Sequence, residues 1–481
     1  MQLKHITIAA AIAAAALSAG CNYEKDDDVL ASRRSQDAIA RQQEEQKDGK
    51  DYTIWQFVHE TSALYYLWNN NVPISYLDYS LYESPEALFE SFRATDDRFS
   101  AVLNNYTETE DMFKNISTTD GINYQLYLDE GTDLIAVVEY VYDDSPAKAA
   151  GIERGFVIHK VNGTQLTASN YADLLDQETC TYTYSNIEVK KENGEKIVSY
   201  GADMKESKPI TKKRMDINPV LKSTVIVKNG RRIGYFLYDS FSDDTDVLIK
   251  TIEKLAAKQI DDLVLDLRLN GGGFINTLDT LASMIVPEGN EGKLFLTETF
   301  NSLITSEFRR ETQNRDFNKT YFAPNLPNLN LSRLYVLTSQ HTASASEELI
   351  SGLMPYMPVT IIGKKTYGKF TSNYLINDTE DEGSDDDGIP YNEWAVYLCV
   401  ASCTNAKGEM NFKNGFAPDY EVDDTYQYEL GDENEPLLKT ALDLSAGSLA
   451  KSATKQPTPL QGYFGHYGKP IDRFGLISKK N

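Results

Sequence analysis

The residues of this chain best suited to covalent chemistry are a serine and a lysine that follow two short apolar runs. Ser344 comes after the run 334–337, and Lys369 comes after the run 359–362. A strand-length apolar run, a turn of small residues and a helical pattern would place Ser344 at the end of a buried strand. Serine becomes a nucleophile when a base takes its proton, and a desolvated lysine can be that base. The pattern therefore favours acyl transfer by Ser344 with Lys369 as general base.

Both residues also have purely structural interpretations. Ser344 and Glu347 fit a capping box, in which the serine hydroxyl satisfies a backbone amide at a helix N-terminus. Lys369 follows Gly368 and fits a solvated cation in a loop. Neither residue indicates catalysis by itself, so the surrounding motifs decide between the interpretations.

Two motifs around these residues resemble the signature of the C-terminal processing peptidases, also called tail-specific proteases. They are Thr-Ala-Ser-Ala-Ser-Glu at 342–347 and Tyr-Gly-Lys at 367–369. In that family the first serine of Ser-Ala-Ser-Glu attacks the peptide and the lysine is its general base. The resemblance carries these roles onto Ser344 and Lys369, and it implies a serine peptidase that needs no cofactor.

A third stretch, residues 266–273, resembles the Asp-Leu-Arg-x-Asn-Gly-Gly-Gly turn of the same family. Consecutive glycines let the main chain approach a substrate closely. The resemblance implies that an amide of Gly271 or Gly272, together with the amide of Ala345, stabilises the charge of the tetrahedral intermediate. The charged residues of this stretch are expected to brace the turn.

Asn373 is the candidate for a third catalytic residue. Several members of the family have a glutamine four residues after the lysine, and here that position holds the shorter asparagine. His341 offers another hypothesis, in which a histidine is the base, as in tricorn-like relatives. The lysine is favoured because its spacing from Ser344 already provides a base.

Apolar periodicity predicts a mixed α/β fold. Residues 233–237 and 263–267 are strand-like, and a helical pattern lies between them at 247–255. Strand, helix and strand at this spacing form a βαβ unit with parallel pairing. The resemblance implies a crotonase-like peptidase core, a mixed sheet with flanking helices, over residues 220–443.

Two further regions are predicted before that core. Helical spacing of apolar residues predicts a small helical region over residues 51–112. Short strands over residues 115–205 resemble the PDZ domain that is inserted in processing peptidases. After the core, residues 444–481 are expected to form a polar, loose tail.

The stretch Gly121, Ile122, Asn123 and Tyr124 stands where a PDZ domain has its carboxylate-binding loop. In such loops backbone amides capture the C-terminal carboxylate of a peptide, which pairs with a strand edge. Asn123 replaces the usual glycine, but asparagine tolerates a positive φ better than most residues. The loop is therefore predicted either to bind peptide or to remain as part of a PDZ scaffold.

The N-terminus resembles that of a bacterial lipoprotein. The apolar stretch 6–19 is too short to span a bilayer, which predicts a signal peptide over residues 1–20. The sequence then reaches Cys21, the predicted lipidation site, although the usual leucine stands one position too early. Residues 21–50 are charged and poor in apolar side chains, as in a tether. We expect an exported protein that is lipid-anchored in the cell envelope, at the outer membrane; an ordinary cleaved signal is the alternative.

The composition argues against several other functions. The net charge is −25 and no lysine or arginine cluster stands out, which is unlike a nucleic-acid-binding protein. His59-Glu60 lacks the second histidine of a zinc-peptidase helix, and the acidic run 378–388 lacks the anchoring carboxylates of a calcium loop. No metal site is therefore predicted.

We therefore expect an exported serine endopeptidase acting on polypeptides. One alternative is a peptide-binding lipoprotein of the same fold with a weak or inactive site, which Asn123 and Asn373 would favour. Another is a hydrolase of esters or glycans, because acyl chemistry does not define the leaving group. The sequence leaves the oligomeric state open.

Overall fold

The computed structural model describes residues 52–73, 77–129, 131–377, 393–447 and 457–468. The predicted signal peptide, Cys21, the tether and the acidic run 378–388 lie outside the described residues.

The regular elements of the described residues are numbered in chain order. The α-helices are α1 (Thr53–Tyr65), α2 (Pro85–Phe92), α3 (Tyr106–Phe113), α4 (Pro146–Ala149), α5 (Tyr171–Leu175), α6 (Thr245–Ala257), α7 (Ile275–Ile285), α8 (Ser302–Thr312), α9 (Ala345–Leu353) and α10 (Pro436–Ser445). The first strands are β1 (Ala101–Leu103), β2 (Ile116–Thr119), β3 (Ile122–Leu128), β4 (Leu134–Val141), β5 (Phe156–Val161), β6 (Thr164–Gln165), β7 (Thr179–Cys180), β8 (Tyr182–Glu192), β9 (Glu195–Tyr200), β10 (Lys205–Glu206), β11 (Ile210–Thr211) and β12 (Lys213–Asp216). The later strands are β13 (Val220–Lys228), β14 (Arg231–Tyr238), β15 (Asp262–Asp266), β16 (Leu294–Phe300), β17 (Lys319–Tyr321), β18 (Leu334–Thr338), β19 (Val359–Gly363), β20 (Thr371–Asn377), β21 (Ala395–Asn405), β22 (Tyr420–Glu421) and β23 (Tyr463–Tyr467).

The chain divides into two compact units, of which the first contains the predicted helical region. Of the described residues it comprises 52–73, 77–108, 300–317, 372–377 and 393–402. Helix α2 begins as its sequence indicates, because the Ser84 hydroxyl accepts from the Ala87 amide and proline occupies the first turn. Strand β1 pairs antiparallel with β21. The two later segments were not predicted to join this region, since nothing local marks so distant a pairing.

The second unit contains a strand-rich module, formed by β2 to β12 and the short helices α4 and α5. Its main sheet has the order β10-β8-β5-β4-β3-β23, so β23 from the end of the chain lies beside β3. Alternate side chains of β3 and β4 enter a buried core that also includes residues of α5. The prediction of a loose tail is therefore wrong for residues 463–467. Their backbone pairs with β3, and the side chain of Tyr467 packs in the core of this module.

The second unit also contains a six-stranded sheet in the order β13-β14-β15-β18-β19-β22. Strands β13 and β14 are antiparallel, and the other neighbouring pairs are parallel. Helix α6 connects the parallel strands β14 and β15, so the predicted βαβ unit and the mixed α/β fold are confirmed. Every residue of β15 and β18 is buried. Such near-continuous apolar runs are typical of parallel strands covered on both faces.

Within the described ranges no helix is both long and apolar enough to cross a membrane.

Candidate active site

Two turns meet where the parallel strands β15 and β18 end. The register pairs Leu263 with Leu334 and Asp266 with Leu337, so both strands end at the same edge of the sheet. Hydroxyl groups of the second turn bind the first turn. Thr342 Oγ1 donates to the Leu267 carbonyl oxygen at 2.9 Å. The predicted glycine turn and the predicted nucleophile are thereby brought together.

Ser344 adopts an unusual backbone conformation at the start of α9. Its φ is 55° and its ψ is −119°, a region that non-glycine residues rarely occupy. Such a conformation costs of order 1–3 kcal/mol and persists only when the surroundings impose it. Glu347 contributes to that constraint, because its Oε2 accepts a hydrogen bond from the Ser344 amide at 3.1 Å. The strain concentrates at the residue for which the sequence predicts covalent chemistry.

Lys369 contacts the hydroxyl of Ser344. The distance from Lys369 Nζ to Ser344 Oγ is 3.3 Å, and both residues are buried, with 8% and 9% of their surfaces exposed. Gly368 has a φ of +90°, and a Cβ there would lie 2.7 Å from the Gly415 amide nitrogen. The turn therefore requires glycine immediately before the lysine. The predicted base and the predicted nucleophile come together only in the folded chain.

Glu347 connects two turns. The nucleophile turn lies between β18 and α9 and contains Ser344, and the lysine turn lies between β19 and β20 and contains Lys369. Its Oε1 accepts from Thr366 Oγ1 at 2.6 Å and from the Gly368 amide at 2.7 Å. Its Oε2 accepts from the amides of Lys369 at 2.8 Å and Ser344 at 3.1 Å. Burial raises the pKa of this carboxyl to about 7, while the hydrogen bonds lower it. The capping-box motif identified Glu347 only as a helix cap and missed this link.

Glu348 is a second buried carboxyl beside the lysine. Burial raises its pKa to about 8, and the charge of Glu298 adds to that increase, whereas Lys369 opposes it. Near neutral pH this carboxyl is therefore mostly protonated. In its protonated form Glu348 places no negative charge beside Lys369.

Gly272 lies directly against the nucleophile. Its φ is +112°, and a Cβ there would lie 2.8 Å from Ser344 Cβ and 3.2 Å from the Ala345 nitrogen. The Gly272 amide itself donates to Oδ1 of Asn270 at 2.9 Å. Gly271 precedes it in the same turn and is partly exposed. The candidate oxyanion-hole residues thus share one location, with the glycine turn packed on the start of α9.

A buried ion-pair network braces this glycine turn. Arg268 is fully buried and binds Asp266, Glu435 and Asp424, with nitrogen-to-oxygen distances between 2.9 and 3.1 Å. Arg154 of the strand-rich module binds the same Asp424 at 2.5 Å. Removing one partner of such a network would leave an uncompensated buried charge, which costs several kcal/mol, about 3–5.

The two other candidate catalytic residues have different surroundings. Asn373 lies in β20 of the first unit, where its amide nitrogen donates to the Phe99 carbonyl oxygen at 3.4 Å. His341 is buried, and its ring stacks on that of His466 with centroids 4.1 Å apart. The candidate base that contacts Ser344 Oγ is Lys369.

The stretch 121–124 forms the start of β3. Gly121 has a φ of +90° and packs against Ser145, and its amide donates to Thr119 Oγ1 at 2.9 Å. The Ile122 amide donates to an oxygen of Asp120 at 3.1 Å. Two of the amides expected to capture a carboxylate, those of Gly121 and Ile122, therefore already bind side chains of the chain itself.

Asn123 and Tyr124 continue from this loop into the module. The expectation that Asn123 accommodates a positive φ does not apply, because Asn123 is already part of the extended strand and pairs with Tyr140. The Nδ2 atom of its buried side chain donates to the Tyr142 hydroxyl at 3.2 Å. The Tyr124 hydroxyl donates to Asp120 at 3.0 Å. Both side chains thus support the module from inside.

The described residues contain no group of three His, Cys, Asp or Glu side chains that could hold a metal ion.

The chain matches two family models. Residues 232–422 match the model of peptidase family S41, and residues 54–101 match that of the peptidase S41 N-terminal domain. The first match includes the glycine turn, Ser344 and Lys369. It ends before β23 and begins after the strand-rich module.

Curated relatives and a solved structure agree with these matches. A carboxyl-terminal-processing protease of Picosynechococcus sp. is 26% identical over 292 residues, which cover 60% of this chain and 63% of that protein. A protein of the same name from Synechocystis sp. is 24% identical over 377 residues, 76% of this chain and 78% of the relative. A crystal structure of a candidate S41 protease from Bacteroides fragilis is 27% identical, with a TM-score of 0.66, covering 82% of this chain and 98% of that one. The match to the first relative spans less than two thirds of its length.

Proposed function

The chain belongs to peptidase family S41, a family of serine peptidases, and we propose on that basis that it cleaves peptide bonds in polypeptide substrates through Ser344 and Lys369. The observation that carries the proposal is the buried contact of 3.3 Å between Lys369 Nζ and Ser344 Oγ. Catalytic hydrogen bonds are often this long in a free enzyme and shorten when substrate binds.

The proposed reaction begins with transfer of the hydroxyl proton from Ser344 to the neutral amine of Lys369 while Oγ attacks the peptide carbonyl carbon. The oxygen of the tetrahedral intermediate accepts hydrogen bonds from the amide of Ala345 and from that of Gly271, or from that of Gly272 if it exchanges its bond to Asn270 Oδ1 for the oxyanion. The lysine ammonium then protonates the leaving amine, and an ester to Ser344 remains. Lys369 next takes a proton from water, which attacks the ester, and returns that proton to Ser344 Oγ as the new carboxyl terminus leaves. Asn373 is proposed to orient the lysine.

We propose further that the strand-rich module is PDZ-like and captures the substrate. An extended peptide can add a strand to an exposed sheet edge through main-chain hydrogen bonds. The support is the resemblance of residues 115–205 and the position of β3 as the outermost of the module's own strands, where the pairing with β23 already shows that its edge can accept a strand. Binding at this edge would hold an unfolded segment of substrate near the peptidase.

Export and lipidation at Cys21 are also proposed, on the sequence alone. The test is expression in a bacterial host with a radiolabelled fatty acid. Lipidation predicts that the wild-type chain carries label and partitions with membranes, whereas Cys21→Ser carries none. Label on neither chain would contradict the proposal.

The peptidase is tested with an unfolded model protein and the chain from residue 22 onward. Wild type is expected to cleave, and Ser344→Ala and Lys369→Ala are expected to lose activity by orders of magnitude, at least about 10³-fold. Ser332→Ala and Lys365→Ala are matched controls, because both side chains are exposed, and they should retain activity.

A fluorophosphonate probe gives a readout that does not depend on the choice of substrate. Labelling that is lost in Ser344→Ala identifies the nucleophile. A folded wild-type chain that neither cleaves protein nor takes up the probe contradicts the proposed peptidase and supports a peptide-binding protein. Probe labelling with cleavage of small esters but not of protein would favour the ester hydrolase.

A further inference from the structure

A segment near the end of the chain pairs with β3, the outermost of the strand-rich module's own strands. Residues 457–468 are called here the tail segment, and its strand β23 pairs antiparallel with β3, with Tyr467 opposite Tyr124 and Gly465 opposite Leu126. The Leu128 amide donates to the Gly462 carbonyl oxygen at 2.7 Å, which extends the pairing. This is the geometry by which an extended peptide adds a strand to a sheet edge.

Tyr467 inserts its side chain between β3 and helix α5. It is 5% exposed and belongs to the core of the module. Its ring meets that of Tyr171 on α5 edge-on, with centroids 5.6 Å apart, and its hydroxyl donates to the Ala172 carbonyl oxygen at 3.4 Å. An aromatic side chain gains much of its binding energy from such burial combined with one hydrogen bond for its polar end.

Gly468 brings the backbone of the tail segment against the first residues of β3. Its φ is +119°, and a Cβ at this position would lie 2.2 Å from the Ile122 carbonyl oxygen. A side chain could be accommodated only if one of the two backbones moved. The groove therefore fits an aromatic residue that is followed by glycine.

The tail segment also contacts the turn that carries the nucleophile. His466 stacks on His341, three residues before Ser344, with ring centroids 4.1 Å apart. The other side of this contact is the strand-rich module, where His466 Nε2 lies 3.4 Å from an oxygen of Glu139. A peptide that replaced the tail segment would thus change the packing against the nucleophile turn.

We propose that the tail segment is an intramolecular ligand of the groove between β3 and α5, and that extended peptides with an aromatic residue followed by glycine compete with it. The proposal deepens the substrate-capture step of the proposed function and rests on it. The tail segment reaches the groove from α10 in the same chain, so an external peptide must compete with an effective concentration of order millimolar. Residues 463 and 464 remain more than one third exposed, and a five-residue edge strand is among the elements that open most readily.

The test uses a fluorescent peptide with the sequence of residues 457–468 and the otherwise complete chain carrying Ser344→Ala, which prevents cleavage. Tyr467→Ala in that chain should weaken the intramolecular ligand and leave the groove intact. The peptide is expected to bind this variant at least tenfold more tightly than the parent chain, measured by fluorescence anisotropy.

Two controls separate specific competition from general loosening. Gln461→Ala changes an exposed side chain of the same segment, whose amide donates to the neighbouring Pro459 carbonyl oxygen, and should bind peptide as the parent does. A peptide with alanine in place of tyrosine at the position of Tyr467 should not bind the open groove. Equal affinity for the parent and for folded Tyr467→Ala would overturn the proposal.

Hydrogen exchange of the parent chain keeps the proposal testable even if Tyr467→Ala fails to fold. The amides of β23 are expected to exchange at least 100-fold faster than those of β4, because β23 leaves the sheet without unfolding of the module. Exchange as slow as that of β4 would mean a permanent strand and would overturn the proposal. Neither measurement needs peptidase activity, so failure of the proposed catalysis is distinguishable: it appears as absent cleavage while competition persists.

Discussion

The nucleophile turn and the groove at β3 lie in the same unit but are held by different kinds of contact. Around Ser344, the buried carboxyl group of Glu347 accepts hydrogen bonds from the turns that contain Ser344 and Lys369, and the glycine backbone packs against the serine without space for a methyl group. At β3, the contacts come from a short strand near the chain end with partly exposed aromatic side chains. The first arrangement preorganises a reaction, and the second can be exchanged for another peptide.

The most severe way to disrupt the nucleophile turn is Gly272→Ala. The added methyl would meet Ser344 Cβ at 2.8 Å, and the residue has a φ of +112°. We expect kcat/KM on a fluorogenic peptide to fall about 10²–10³-fold, the size of losing one oxyanion donor. Gly230→Ala is the matched control, because its φ is +77° and a Cβ there would meet no atom within 4 Å. Activity of Gly272→Ala within tenfold of wild type would show that the turn does not form part of the site.

Glu347→Gln tests whether the carboxylate positions the two turns. The amide would place a donor opposite backbone amides and hydroxyls that also donate, so at least one hydrogen bond is lost. We expect kcat to fall about 100-fold with KM changed less than about threefold, the pattern of an interaction needed mainly in the transition state. The exposed Glu421→Gln is the control. If the substitution changes only the thermal stability, Glu347 acts as a helix cap and does not position the two turns for the reaction.

Asn373→Ala tests the proposed third catalytic residue. If Asn373 orients the amine of Lys369, kcat should fall about tenfold, within the range of general acid–base effects. Asn373→Gln, which has the residue of several relatives, should stay within about threefold of wild type. Loss of stability with unchanged kcat would mean that the amide serves only its contact with the Phe99 carbonyl oxygen.

The last expected effect concerns stability and not activity, through the pH dependence of unfolding. The pKa of Glu348 in the folded chain, about 8, lies above the ordinary value of 4.5 for a glutamate, so the folded state binds a proton that the unfolded chain releases. Wild-type stability should therefore fall as the pH rises from about 4.5 to about 8, by at most ~1.4 kcal/mol per pH unit from this group. Glutamine at position 348 does not titrate, so the free energy of unfolding of Glu348→Gln should rise relative to that of wild type over that range. Urea unfolding at pH 5 and pH 8 measures the difference, with the exposed Glu433→Gln as control. If the difference in unfolding free energy between wild type and Glu348→Gln is the same at pH 5 and pH 8, Glu348 is ionised in the folded chain.

The peptidase core was predictable because its signals are local. The apolar runs that became β15 and β18 are buried on both faces, and the motifs after them supplied Ser344, Lys369 and the glycine turn. The role of Glu347 was not predictable, since a capping box looks the same whether or not its carboxylate also binds a distant turn. The strained conformation of Ser344 likewise has no signature in residue type.

The sequence by itself determined the strand, helix and turn types, the mixed α/β class and the candidate nucleophile and base. These properties follow from periodicity over a few residues and from short motifs, which act within one element. Only the tertiary structure decided that residues 300–317, 372–377 and 393–402 join the first unit and that β23 completes the sheet at β3. Pairings across hundreds of residues depend on which exposed edge and which pocket remain open after the local elements form, and no local pattern records that.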